Sequence, residues 1–210
     1  MTPDGFVAEL RAAEAALVKA DRRFALIVRR AGPCRLERAK QFRPFEALLT
    51  SITHQQLSGK AAQTILGRVK ERLASGAFPT PEHVQQARLP VLRACGLSGN
   101  KALALKDLAA KTLDGTVPTA RELHRLDDEA IIERLTAVRG VGRWTVEMML
   151  MFRLGRLDVM PVDDLGVRKG FSVLAKLNGV IAPKALRLEA ERWRPWRTVA
   201  AWYCWRVLDV

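Results

Sequence analysis

The sequence predicts an all-α fold, on three observations. Apolar residues recur at helical spacing in nearly every segment, as one buried helix face requires. Runs of alternating β-branched residues between turn signals are missing. Glycine, proline, serine and aspartate punctuate the periodic stretches where helices start and stop.

Each element follows in order. Leu10, Ala13 and Leu17, then Phe24, Ile27 and Val28, predict two opening helices, the second stopped by Gly32-Pro33. Phe45, Leu48, Leu49 and Ile52 form the stripe of a third helix. Ser58 reads as the cap of a fourth, with Ala61, Ala62, Ile65, Val69 and Leu73 on its inner face. The chain turns between Gly76 and Pro81, and Pro81 suits the first position of a short helix. A short helix then ends at Gly96, and a longer one starts after Ser98. Asp127 or Asp128 caps a helix carrying Ile131, Ile132 and Leu135. Beyond the acids Asp163-Asp164, Leu165, Phe171 and Leu174 mark another helix, and two more are broken at Pro195.

A chain of 210 residues can bury a sizeable core without staples. Lys and Arg number 35 against 22 Asp and Glu, a net charge of +13 that favours a polyanionic partner, although arginine-rich lineages carry the same excess. Cys34, Cys95 and Cys204 lack the close spacing of a zinc or iron–sulfur site, and His54, His83 and His124 are too dispersed for a metal. No cofactor is expected. The N-terminus lacks the apolar core of a signal peptide, and no stretch approaches the roughly 18 apolar residues of a bilayer span. A cytoplasmic protein is expected, nucleoid-associated if bacterial, without membrane contact.

Between two helical segments stands Gly140-Val141-Gly142, flanked by Arg139 and Arg143. Glycines can take positive φ and leave backbone N–H groups open to a phosphate, and the arginines add charge beside them. An ordinary tight turn between helices explains the same residues.

The wider stretch "LTAVRGVGRWTVEMML" resembles the helix-hairpin-helix of the base-excision-repair DNA glycosylases, the superfamily named for hairpin, Gly/Pro-rich loop and aspartate. The acids in "MPVDDLGVRKGF" lie at the family's distance downstream, and "SITHQQLSGKAA" resembles its segment that enters the minor groove. The likeness to the alkylation-repair branch, 3-methyladenine DNA glycosylase II, runs from about Phe42 to "ERWRPWRTVAAWYCWRV". It implies a two-lobed helical fold, from which this chain is expected to depart in lacking the N-terminal β domain that larger members of the branch carry: residues 46–150 would carry wedge and hairpin, and residues 1–45 with 151–210 the catalytic acid. Bifunctional relatives place a lysine after "GVGR", where this chain has Trp144, so base release without strand cleavage is implied.

Pro161-Val162 leads into a helix start, where a capping oxygen and a negative charge are both favoured. One acid is explained by capping. A second fits the carboxylate that an oxocarbenium-like sugar needs as the base departs. The resemblance makes Asp164 the catalytic acid and leaves Asp163 as the cap; by residue logic alone the order can be reversed.

A base inside a duplex must be turned out and its place filled. The resemblance gives Leu57 that wedge role, with Gln55, Gln56 and Ser58 in the minor groove beside it; a buried turn with solvated glutamines is the plainer account. Trp144, Met148 and Trp205 match the base pocket of the alkylation-repair branch, where aromatic rings attract cationic N-alkylated purines. Trp193 and Trp196 read as core. The family's hairpin carbonyls hold a monovalent cation, which is the one metal the likeness implies. The expected partner is double-stranded DNA with alkylated bases, and a monomer is expected. Rival readings are a glycosylase for oxidised or mismatched bases and a noncatalytic helix-hairpin-helix DNA binder.

Overall fold

The structure, a computed structural model, describes residues 3–37, 39 and 42–209, and among them it contains helices and turns but no strand. Helix α1 (Pro3–Ala20) buries Leu10, Ala13 and Leu17, and α2 (Ala25–Ala31) buries Ile27 before Gly32 stops it with φ 73°. Helix α3 (Pro44–His54) turns Phe45, Leu48, Leu49 and Ile52 inward. Helix α4 (Gly59–Ala74) starts behind Ser58, whose hydroxyl accepts from Ala61 N. Its buried line is Ala62, Leu66 and Val69, and the expected Ile65 and Leu73 sit half-buried at the margins.

Helix α5 (Pro81–Gln86) opens on Pro81, and α6 (Leu89–Ala94) ends just before Gly96. Helix α7 (Gly99–Leu113) is capped by Ser98, and α8 (Ala120–Leu123) is a single turn. Asp127 caps α9 (Asp128–Thr136) by accepting from Ala130 N. After the glycine hairpin, α10 (Arg143–Met149) widens through Leu150–Leu154 and stops at Gly155. Helices α11 (Leu165–Leu174), α12 (Pro183–Ala190) and α13 (Arg197–Arg206) complete the chain. Among the described residues, no helix is long and apolar enough to cross a membrane.

The chain divides into two compact units, Met1–Ala39 with Glu147–Val210, and Lys40–Val146. In the second, α7 packs against α3, α5 and α6, and α4 against α3 and α5. In the first, α13 packs against α1, α2 and α11. Its centre is Trp193, fully buried with Phe24 at 5.2 Å and Phe171 at 5.3 Å, and its indole N–H donates to Asp21. Helices α11 and α13 cross so closely that a Cβ at Gly170 would stand 1.8 Å from the Cys204 carbonyl oxygen. The buried line of α11 is Val167, Gly170 and Phe171; Leu165, expected inside, is 53 % exposed because it occupies the first helical position.

Candidate active site and nucleic-acid interface

The two acids are not placed as the resemblance implied. Pro161, Val162, Asp163 and Asp164 form a turn closed by Asp164 N donating to the Pro161 carbonyl at 3.0 Å. That turn consumes Asp163, which is exposed, and the helix starts one residue later. Asp164 is therefore the N-cap of α11, its Oδ1 accepting from Val167 N at 2.8 Å. The assignment of the cap to Asp163 is corrected: one residue, Asp164, carries the capping bond.

The same Oδ1 accepts from Trp205 Nε1 at 2.9 Å. Trp205 reaches it because residue 166 is glycine, where a Cβ would lie 2.8 Å from Trp205 Cδ1, 3.0 Å from Nε1 and 3.1 Å from Asp164 Oδ1. Phe152 stands beside the indole, centroids 5.9 Å apart, and is 39 % exposed. Half-buried Asp164 is thus held by a helix start and an indole, next to an aromatic wall. The loop leading to it is pinned from α13 and the segment just before it: Arg197 forks onto Asp158, Arg194 Nη1 donates to Asp158 at 2.7 Å, and Thr198 accepts from Val159 N at 2.9 Å. Gly166, Phe152 and Thr198 went unremarked in the sequence; the G-x-x-x-G spacing of Gly166 and Gly170 was the legible signal of a close helix crossing.

The hairpin lies in the other unit. Gly140 has φ 78°, which only glycine adopts freely, and Val141 is buried. Gly142 does not use a left-handed φ, so positive φ is needed at one of the two glycines, and a Cβ at Gly142 would meet no atom within 4 Å. Asp107 on α7 anchors the turn by accepting from Arg139 N at 2.7 Å while also binding Lys111. Its burial favours the neutral acid, but these donors outweigh that and hold its pKa below the ordinary value. Sequence reading missed Asp107, since its spacing to Lys111 looks like any surface ion pair. Arg139 is exposed, its guanidinium 3.4 Å from Asn100 Oδ1, whereas Arg143 forks onto Glu129, one bond measuring 2.9 Å.

Gln55 donates its amide to the Gly140 carbonyl at 2.8 Å, so it ties the α3–α4 turn to the hairpin. Gln56 is exposed with φ 56°, Leu57 is 40 % exposed at the tip, and Ser58 caps α4. The plainer account of Leu57 as a buried turn residue does not hold. Trp144, on the first turn of α10, is 49 % exposed, and Met148 is half-buried. Trp193 is core as expected, and Trp196 is half-buried. The three cysteines are buried free thiols, and burial pushes Cys34 up to about 12.

The model of the HhH-GPD superfamily of base excision DNA repair proteins matches residues 49–197, which contain the hairpin, the acids and most of α3 to α12. This chain belongs to that superfamily. Among HhH-GPD proteins it is 41 % identical over 201 residues to DNA-3-methyladenine glycosylase 1 of Schizosaccharomyces pombe, covering 95 % of this chain and 88 % of that one. The solved structure of the Schizosaccharomyces pombe 3-methyladenine DNA glycosylase in complex with abasic DNA superposes with a TM-score of 0.82 at 40 % identity, covering 95 % of this chain and 97 % of that one. A DNA-3-methyladenine glycosidase from Bacillus halodurans gives a TM-score of 0.81 at 36 % identity, covering 90 % and 86 %. The HhH-GPD assignment thus extends over nearly the whole chain.

Proposed function

We propose that the protein is a base-excision-repair DNA glycosylase that hydrolyses the N-glycosidic bond of alkylated, 3-methyladenine-like bases in duplex DNA and leaves an abasic site. The observation that carries the reading is the Asp164 carboxylate, fixed by Trp205 Nε1 at 2.9 Å beside Phe152, in a chain matched almost end to end by 3-methyladenine glycosylases.

The chemistry follows from what a carboxylate so held can do. As the bond from C1′ to the base nitrogen breaks, the base leaves with the bonding electrons and the sugar takes on oxocarbenium character. A carboxylate already oriented by Val167 N and Trp205 needs no reorganisation to stabilise that charge. Water then adds at C1′ and loses a proton. A cationic N-alkylated purine departs neutral, so no acid has to protonate it. Trp205 and Phe152 offer π faces to such a cation, and the resemblance adds Met148 to the same pocket. Trp144 stands where lyase relatives carry an amine, so no Schiff base forms and the strand stays intact.

Binding is assigned to the second unit. Leu57 is the wedge that fills the vacated place in the stack, with Gln56 and Ser58 alongside it, and the open backbone at Gly142 with Arg139 receives phosphate. The test is incubation with methylated DNA and a panel of single-lesion duplexes, followed by identification of the released bases. Free 3-methyladenine with an uncut abasic strand and no borohydride-trapped adduct is the expected result. Absence of released base, or a trapped adduct, overturns the reading.

A further inference from the structure

The lysine at the head of α7 does something that neither capping nor solubility requires. Lys101 Nζ donates to the Thr53 carbonyl at 2.8 Å and to the Gln55 carbonyl at 2.6 Å. Thr53 lies in the last turn of α3, whose final carbonyls have no acceptor role inside the helix and carry the negative end of its dipole. Burial lowers the lysine's pKa below its ordinary value, the cost of holding an ammonium among carbonyls rather than in water. Gln55, gripped by its carbonyl, uses its side-chain amide on the Gly140 carbonyl at 2.8 Å. The next residue, Gln56, has φ 56°, a left-handed value that costs a non-glycine residue energy unless its neighbours enforce it, and Leu57 then stands exposed.

We infer that Lys101 is a positioning residue: with Gln55 it clamps the Gln55–Gln56–Leu57 turn to the glycine hairpin, so that the grip on phosphate and the insertion of the wedge are set by one rigid connection. The path runs from α7 through Lys101 to the Gln55 backbone, and from the Gln55 side chain to Gly140. Each link is a hydrogen bond with a neutral carbonyl acceptor, so it persists in salt that weakens phosphate contacts. An apolar side chain pushed between stacked bases meets resistance, and a turn held only by its own backbone would yield.

The inference rests on the glycosylase reading with Leu57 as wedge, and the experiment separates the two. Lys101→Met keeps the stem and removes the donors; Lys101→Arg restores them. Amide hydrogen exchange over residues 55–59 is measured, together with single-turnover excision of one lesion in a stable pair and of the same lesion opposite an abasic site. Lys101→Met is expected to speed exchange across the turn and to lower paired-lesion excision about tenfold, the equivalent of one charge-assisted hydrogen bond. Excision opposite the abasic site changes little, Lys101→Arg recovers most of the loss, and adding Leu57→Ala to Lys101→Met costs nothing further. Unchanged exchange, an equal fall for both lesions, or additive loss in the double variant overturns the clamp. If Leu57→Ala alone leaves the paired-to-unpaired ratio at the wild-type value, the wedge reading is wrong and the clamp has no role in excision, while exchange still decides whether it exists. Should Lys101→Met fail to fold, Lys101→Gln against Lys101→Arg provides the same comparison.

Discussion

Trp205 donates its indole N–H to Asp164 Oδ1 at 2.9 Å, the same oxygen that caps α11 through Val167 N. Two helices therefore meet at one carboxylate oxygen, and Gly166 provides the space for it. Gly166→Ala forces Trp205 away, since the new Cβ would lie 2.8 Å from Cδ1. The expected cost is about 1–3 kcal/mol of stability from overpacking, with excision reduced at least tenfold. Trp205→Phe, which keeps an aromatic ring but removes the N–H and part of the indole's bulk, should also lower excision. If Gly166→Ala excises normally, Trp205 does not orient the acid.

The acids themselves separate cleanly. Asp164→Asn retains a capping and accepting oxygen, so the melt should shift by under about 1 kcal/mol while single-turnover excision falls on the order of a hundredfold. Exposed Asp163, spent in the turn before the helix, should tolerate asparagine with little change in either measurement. The Asp164→Asn defect should be smaller for 3-methyladenine, already a good leaving group, than for neutral hypoxanthine. Inactive Asp163→Asn with an unchanged melt reverses the assignment.

At the hairpin, Glu129 holds the Arg143 guanidinium in a forked ion pair. Removing that charge with Glu129→Gln should tighten binding to undamaged duplex a few-fold and steepen its salt dependence, because counterion release scales with the cations offered to phosphate. Arg139→Ala should weaken binding for all sequences alike. Equal affinities for Glu129→Gln and wild type across a salt titration would show that Arg143 takes no part.

Burial favours the neutral form of Asp21, but hydrogen bonds from Arg23 and Trp193 outweigh it and hold the carboxyl below its ordinary 3.8. A depressed folded pKa contributes stability that is complete above pH 3.8 and is lost as pH falls through the lower folded value. Thermal melts from pH 5 down to about pH 2 should therefore decline less steeply for Asp21→Asn than for wild type, from a lower starting point. Parallel curves would remove Asp21 from the acid response.

Gly170→Ala is the strictest test of the helix crossing. Its Cβ would stand 1.8 Å from a backbone oxygen of α13, which no rotamer change relieves, so a loss on the order of 3 kcal/mol or more is expected in denaturant unfolding. A loss below 1 kcal/mol would mean that α11 and α13 separate at little cost.

By itself the sequence determined the helices, because each is a local matter of period and punctuation: Ser58, Ser98 and Asp127 cap where their short side chains can accept from the next turn, and Gly32 and Gly96 stop helices where positive φ is needed. It also determined the family, since the hairpin and the acids occur as contiguous runs at fixed spacing. What it misread was a single residue of register. The resemblance left the cap to Asp163, whereas a turn closed onto the Pro161 carbonyl made Asp164 the N-cap. Only the tertiary structure decided who holds that acid and who holds the turn at Leu57. Trp205 lies 41 residues from Asp164, Lys101 lies 46 from Gln55, and Gln55 lies 85 from Gly140. Pairs so distant leave no periodic trace in a chain, because the directions in which their hydrogen bonds point exist only once helices have crossed.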